Sequence, residues 1–255
     1  GAAPPAAGAQ GVSDGWTFEA ALYGWLPAIS GSSSFPTVGA SPSIDVSTRE
    51  VIDSLKMAFM GVVQVRYGPW GLWNDLFYAD LGGSKQDTRN FSIGGRPLPV
   101  GVDADLNLGV RTWIWTVAGT YAIRSGSEGT TDMMFGVRML DLSNSLDWSL
   151  RGTGPGPLPP RTGDAQVSDT LWDGIVGLKG RALLGDARQW FVPFYVDVGT
   201  GQSRLTWQVN AGVGYRFDWG ALVASWRYLD YSFKSGSKVT DLSLNGPLLG
   251  VVFDF

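Results

Sequence analysis

Apolar and polar residues alternate along residues 203–217, near the C-terminal end of the sequence. The odd positions from Leu205 to Phe217 are all apolar, whereas the even positions from Arg204 to Arg216 are polar, charged or glycine. Successive side chains of a strand point to opposite faces, so this segment predicts one strand with a wholly apolar face. The alternation is longer than the strands of about 5–6 residues that are most common in globular proteins.

Similar alternation elsewhere predicts ten strands, separated by segments rich in glycine, proline and serine. The predicted strands are residues 15–28, 55–67, 72–81, 105–123, 131–142, 168–183, 189–198, 203–217, 221–233 and 244–255. The segments after strands one, three, five and nine are long, and those after strands two, four, six and eight are short. The segment after strand seven is the exception.

Alternating loop lengths of this kind are typical of outer-membrane barrels, which have short periplasmic turns, longer external loops and an even strand number. The pattern therefore predicts an all-β fold, an antiparallel up-and-down transmembrane β-barrel of 10 strands, with 8 or 12 strands as alternatives. With the N-terminus in the periplasm, ten strands return the C-terminus to the periplasm.

Three segments depart from simple alternation. Asn74 and Asp75 fall on opposite faces, so the phase of strand three is unclear, and Arg111 breaks the phase of strand four, which predicts a bulge or an extension above the bilayer. The spacing of Ser47 and Glu50 is that of a capping box and predicts one or two helical turns. Residues 30–54 either form a surface loop helix or fold over the barrel mouth through Val51, Ile52 and Leu55.

The composition favours a barrel whose apolar face meets lipid. Charged residues make up 16% of the chain, against roughly 25% in soluble domains, and there are 36 Gly and 12 Trp. No apolar run approaches the roughly 18 residues of a spanning helix. A soluble, lipocalin-like barrel would place its apolar face inward and crowd six tryptophans into one lumen. These tryptophans are Trp113, Trp115, Trp172, Trp190, Trp207 and Trp226.

The opposite face predicts a charged lumen. Its candidates are Glu19, Arg66, Arg138, Asp173, Lys179, Arg181, Asp197, Arg204, Arg216, Arg227 and Asp254. One interpretation is a structural network in which arginines bind the carboxylates of Glu19, Asp173 and Asp197. The other is a narrow, weakly anion-favouring pore, because rings of arginine and lysine favour anions.

The residue types present exclude much chemistry. The chain has no Cys and no His, so it lacks disulfides, thiolates and the commonest general base and metal ligand. We therefore predict no catalytic residue, cofactor or metal site. The net charge of −4 argues against a nucleic-acid partner.

Several segments resemble a family of uncharacterised proteobacterial outer-membrane β-barrel proteins. The resemblance lies in residues 197–217, Trp226-Arg-Tyr-Leu-Asp-Tyr231, Gly246-Pro-Leu-Leu-Gly250 and the final Phe255, and more weakly in Tyr23-Gly-Trp-Leu-Pro27, Ile52-Asp-Ser-Leu55 and Gly71-Leu-Trp-Asn-Asp75. It covers most of the chain from Trp16 onward. It implies a barrel fold and an outer-membrane location but supplies no activity. Outer-membrane enzyme families use a His, so the resemblance to them stops at the barrel.

The expected organisation is a short leader followed by one barrel domain. Residues 1–14 should be a flexible Ala/Pro-rich leader left after removal of a signal peptide, and residues 15–255 the barrel. Phe255 is the expected signal for the barrel-assembly machinery, and the other expected partners are outer-membrane lipid and lipopolysaccharide. The expected role is structural or that of a passive small-solute channel. The alternative is a scaffold that binds a protein through its external loops.

Overall fold

A computed structural model describes residues 15–33, 43–86, 92–93, 96–97, 102–152, 161–234 and 239–255. The predicted leader, residues 1–14, lies outside the described residues. The elements of the described part are β1 Trp16–Trp25, β2 Ala28–Ser33, β3 Ser43–Val46, α1 Thr48–Ser54, β4 Leu55–Tyr67, β5 Trp70–Gln86, β6 Ser92–Ile93, β7 Arg96–Pro97, β8 Val102–Gly126, β9 Gly129–Gly152, β10 Arg161–Leu184, β11 Trp190–Gly201, β12 Leu205–Phe217, β13 Gly220–Ser232 and β14 Val239–Asp254.

The strands form one closed antiparallel barrel. Each of the large strands pairs with its neighbour in the chain, and β1 closes the barrel by pairing with both β4 and β14. β2 continues the path of β1 after an interruption at Leu26 and Pro27 and pairs with β14 as well. β1 and β2 thus act as one strand, which confirms the predicted 10-strand barrel, and β3 adds one extra strand beside β2.

The connections distinguish the two ends of the barrel. At the turn end, short links of residues 68–69, 127–128, 185–189 and 218–219 join successive strands, and Gly68 adopts a left-handed φ of 55° in the first of them. The opposite end, the loop end, carries α1. The link of residues 202–204 between β11 and β12 is also at the loop end and is short. This agrees with the one exception in the predicted loop lengths.

Three neighbouring strands are much longer than predicted. β8, β9 and β10 have 25, 24 and 24 residues, against 13 in β12. At about 3.4 Å per residue, 24 residues span roughly 80 Å and 13 span roughly 44 Å. The predicted loops of residues 82–102 and 143–167 are therefore partly strand. The polar segments stay extended because each strand satisfies the backbone of the next along its length.

The two ambiguous segments have simple resolutions. Arg111 lies in continuous register with Asp80 and Ser143, so the predicted bulge there is wrong. The alternative, an extension above the bilayer, stays a prediction. The exposed side chain of Arg111 forms an ion pair with Asp80 at 3.6 Å. The register of β8 shifts instead between Ala122 and Arg124. In β5, Asp75 is buried inside the barrel, which sets the phase that the sequence left open.

The outer face of the barrel is apolar and carries two belts of aromatic residues. Near the turn end, Trp16 packs on Tyr67 and Trp190 on Tyr215. Nearer the loop end, Trp115 packs on Trp172 and Trp207 stacks on Tyr228. All six tryptophans predicted to face outward are exposed, by 36–57%. The soluble, inward-facing alternative is therefore wrong. No helix in the described part of the chain is long and apolar enough to cross a membrane.

Candidate functional site

The loop-end half of the lumen is filled with apolar side chains. Their packing forms an apolar plug of Trp25, Met60, Phe77, Ala79, Ile114, Leu140, Leu142, Leu171, Leu229, Tyr231, Phe233, Leu242, Leu244 and Leu248. All of them are buried, and Ile114, Leu140, Leu229 and Tyr231 are at most 1% exposed. This plug was not predicted from the sequence, because the lumen of a membrane barrel was expected to be polar. The available signal was the apolar residues on both faces of several strands near the loop end.

Helix α1 covers part of the plug. Val51 is buried and lines a cavity of about 20 Å³ with Met60, Phe77 and Leu244. That volume holds about one water molecule. Ile52 and Leu55 are 49% and 37% exposed, so only one of the three predicted contact residues packs inward.

Below the plug, an arginine and an aspartate form a fully buried ion pair. Arg138 Nη1 donates to Asp197 Oδ1 at 3.0 Å, and Nη2 donates to Asp197 Oδ2. Thr116 Oγ1 accepts from Nε at 3.1 Å, and Thr206 Oγ1 accepts from Nη1 at 3.4 Å. Both ionic side chains are 0% exposed. A two-pronged pair with additional acceptors is the arrangement that a buried guanidinium requires.

A second buried pair lies beside the first. Arg227 Nη2 is 2.9 Å from Asp75 Oδ2 and donates to Gln208 Oε1, also at 2.9 Å. Tyr23 links the two ions: its hydroxyl accepts from Arg227 Nη1 at 3.0 Å and donates to Asp75 Oδ1 at 2.5 Å. The guanidinium also lies 4.6 Å from the ring centre of Trp25, a cation–π contact that connects this pair to the plug.

Three further pairs lie nearer the turn end and are progressively more exposed. Arg66 pairs with Asp132, with side-chain exposures of 21% and 3%. Arg181 pairs with Glu19 at 2.6 Å, with exposures of 22% and 23%. Arg216 and Asp254 are 3.7 Å apart and 25% and 31% exposed. The lumen therefore opens towards the turn end and closes towards the loop end.

This opening contains the turn-end chamber, a cavity of about 200 Å³. Glu19, Gln64, Trp73, Lys179 and Asn210 line different sides of it. Lys179 Nζ donates to Gln64 Oε1 and lies 5.6 Å from the centre of the Trp73 ring.

The structure places most of the predicted lumen residues inside the barrel. Some of their ion-pair partners differ from those predicted. The prediction that Arg204 faces the lumen is wrong. Arg204 is exposed and precedes β12, which begins at Leu205, so the alternation of the strand does not extend to it. Asp173 is buried, and its Oδ1 accepts from the backbone N–H of Ser203 at 2.8 Å rather than from an arginine. Asp75 and Asp132 are paired lumen carboxylates that the sequence analysis did not select. Asp132 shares its face with Arg138, so parity alone could have identified it.

Phe255 lies at the turn end, where the two ends of the described chain meet. Its N–H donates to Phe18 O at 2.8 Å, and its carbonyl accepts from Phe18 N at 3.2 Å. Its side chain is 77% exposed.

Comparison with known proteins identifies the fold. No family model and no curated protein matches the chain. The solved structure of the outer membrane protease OmpT from Escherichia coli is similar, with a TM-score of 0.54 and 8% sequence identity over 96% of this chain and 99% of that one. The translocator domain of the autotransporter NalP from Neisseria meningitidis gives 0.44 and 13% over 95% and 89%. At 8% identity the OmpT likeness concerns the fold alone, and it shows, with the closed sheet, that this chain has the β-barrel fold of bacterial outer-membrane proteins.

Proposed function

We propose that this chain is a structural barrel of the bacterial outer membrane that is closed to solutes. The apolar plug carries the proposal, because its side chains fill the lumen from β1, β4, β5, β8, β9, β10, β13 and β14. The buried pair of Arg138 and Asp197 lies directly beneath it. Barrels of about eight strands have interiors filled by side chains, whereas sixteen or more strands leave an aqueous channel.

The outer face supports the proposed location. An apolar band between two aromatic belts is what a lipid bilayer requires of a barrel exterior. Outer-membrane lipid and lipopolysaccharide are the partners that such a surface suits. Phe255, exposed at the seam between β1 and β14, is available to the barrel-assembly machinery before closure.

Planar-bilayer recording tests the closed state. The purified barrel should give no stepwise single-channel current, because the proposal has the buried apolar side chains of the plug block the lumen. Flotation of the same preparation with liposomes checks that the barrel has inserted.

Uniform current steps would overturn the closed-barrel proposal. If the steps favoured anions, and Lys179→Glu but not Asp186→Lys reversed that preference, the weakly anion-favouring channel would replace it. Asp186 is the matched control because it lies outside the lumen, in the exposed link of residues 185–189.

A second role, as a scaffold for a protein partner, is favoured by the extensions of β8, β9 and β10. At the loop end, these strands extend beyond the level of Leu205, where β12 begins. The extensions therefore form a surface that is not required to close the barrel. Loops and projections held on a rigid frame are common recognition surfaces.

Site-specific photocrosslinking in intact cells tests the scaffold role. A photoreactive residue at Ser145 or Ser168, both exposed on the extended strands, should give one dominant protein adduct. The same residue at Asp186, at the turn end, should not give that adduct. Absence of a dominant adduct from the extensions would contradict the scaffold role.

A further inference from the structure

The turn-end chamber is a space in the lumen that the closed-barrel proposal does not use. Its volume of about 200 Å³ is below the roughly 300–1,000 Å³ of drug-sized ligand pockets. It therefore suits a molecule smaller than a typical drug. Access is from the turn end, where the lining pair of Arg181 and Glu19 is partly exposed.

The chamber wall has one more cationic side chain than carboxylates, and the additional cation is Lys179. Three lining carboxylates each pair with one arginine: Glu19 with Arg181, Asp132 with Arg66, and Asp75 with Arg227. Among the residues that the structure describes, no carboxylate lies within 4.0 Å of Lys179 Nζ, which donates to the neutral amide of Gln64. A lysine in this position retains donors for an anion, since its ammonium group has three.

The rest of the wall suits an apolar body with polar substituents. Trp73, Phe191, Phe194 and Tyr195 contribute aromatic surface. On the neighbouring strands β12 and β13, Asn210 Oδ1 and Ser225 Oγ are buried and have no hydrogen-bond partner among the described residues. Buried polar atoms without partners are uncommon in folded proteins. Convergent polar groups in an apolar pocket are typical of small-molecule sites.

We propose that the turn-end chamber binds a small monocarboxylate with an aromatic body, of the size and chemistry of benzoate. The carboxylate pairs with Lys179, and the ring packs among Trp73, Phe191 and Tyr195. The site concerns only the turn-end half of the lumen, so it does not depend on whether the plug conducts.

Isothermal titration calorimetry of the detergent-solubilised full chain tests the proposal by measuring its affinity for three probes. Benzoate, benzamide and benzylamine share a ring but are anionic, neutral and cationic at pH 7. Benzoate should bind at least tenfold more tightly than either of the others, after subtraction of titrations into protein-free micelles. Equal affinities for the three probes, or no binding of benzoate, would overturn the site.

Substitutions at Lys179 test the anchor. Lys179→Met should remove the preference for benzoate, and Lys179→Arg should retain most of it. Arg124→Met is the matched control, because it removes an exposed cation near the turn end that pairs with Glu128 outside the chamber. A preference that persists in Lys179→Met, or that disappears equally in Arg124→Met, would refute the role of Lys179. Circular dichroism and the shift of the folded barrel on unheated gels show whether each variant has folded.

Discussion

Replacing Arg138 by methionine should lower the free energy of unfolding by about 3–5 kcal/mol. Arg138 and Asp197 are both 0% exposed, so the loss of the guanidinium leaves a carboxylate uncompensated in a site that water does not reach. Thr116, Thr206 and Tyr195 also lose contacts with the arginine. Urea unfolding in detergent, followed by tryptophan fluorescence, measures the change.

Two companion variants separate the buried charge from a general effect of losing an arginine. Arg204→Met should change stability by less than about 0.5 kcal/mol, because Arg204 is exposed in the link before β12. Combining Arg138→Met with Asp197→Leu should recover much of the lost stability, because replacing both partners of a buried pair by apolar residues is often neutral. Equal, small losses for Arg138→Met and Arg204→Met would contradict the structural importance of the pair.

The barrel and its faces could be predicted from the sequence because both depend on local alternation. From Leu205 to Phe217 each side chain has only two directions, and one buried or lipid-facing position determines the rest. The lengths of β8, β9 and β10 could not be predicted in this way. Their polar ends remain extended because neighbouring strands bind them, and that pairing is not encoded in the alternation of any one strand.

The ion-pair partners of the charged lumen residues could not be predicted from the sequence either. Arg138 lies directly opposite Asp173 on the adjacent strand, yet its guanidinium binds Asp197, one strand further on. The register places Gly177 opposite Asp197, and a side chain there would collide with Val196 O and approach Asp197 Cβ to 2.8 Å. Glycine therefore allows the close approach of β10 and β11 beside Asp197. Such a pairing depends on the curvature and width of the closed barrel, which parity does not specify.

The apolar plug shows the limit of the assumption that a membrane barrel has a polar interior. Alternation predicts that the apolar face of each strand meets lipid and that the other face carries polar residues or glycine. Near the loop end, however, residues such as Leu140 and Leu229 are apolar and inward. An interior closed to water benefits from apolar packing as any protein core does. Whether a lumen is wet or dry therefore has to be read position by position along each strand.

Replacing Val213 by arginine should reduce assembly into liposomes, at a cost between the roughly 0–1 kcal/mol of an arginine near the interface and the about 2–4 kcal/mol of one at the bilayer midplane. Val213 is 43% exposed on the outer face of β12. It lies between Trp207, in the belt nearer the loop end, and Tyr215, in the belt at the turn end. A guanidinium there has neither water nor a carboxylate to bind, so the unassembled chain is favoured. The fraction that acquires the mobility of the folded barrel on unheated gels measures assembly.

The matched control is Asn210→Arg on the same strand, which places the same side chain inside the barrel. Asn210 lines the turn-end chamber, where a cation can extend towards the open end, so assembly should remain close to that of the wild type. Gln208 is a poorer control, because it is buried and already accepts a hydrogen bond from Arg227. If Val213→Arg assembled normally while Asn210→Arg did not, the outer face would be in contact with water rather than lipid, and the proposed membrane location would have to be abandoned.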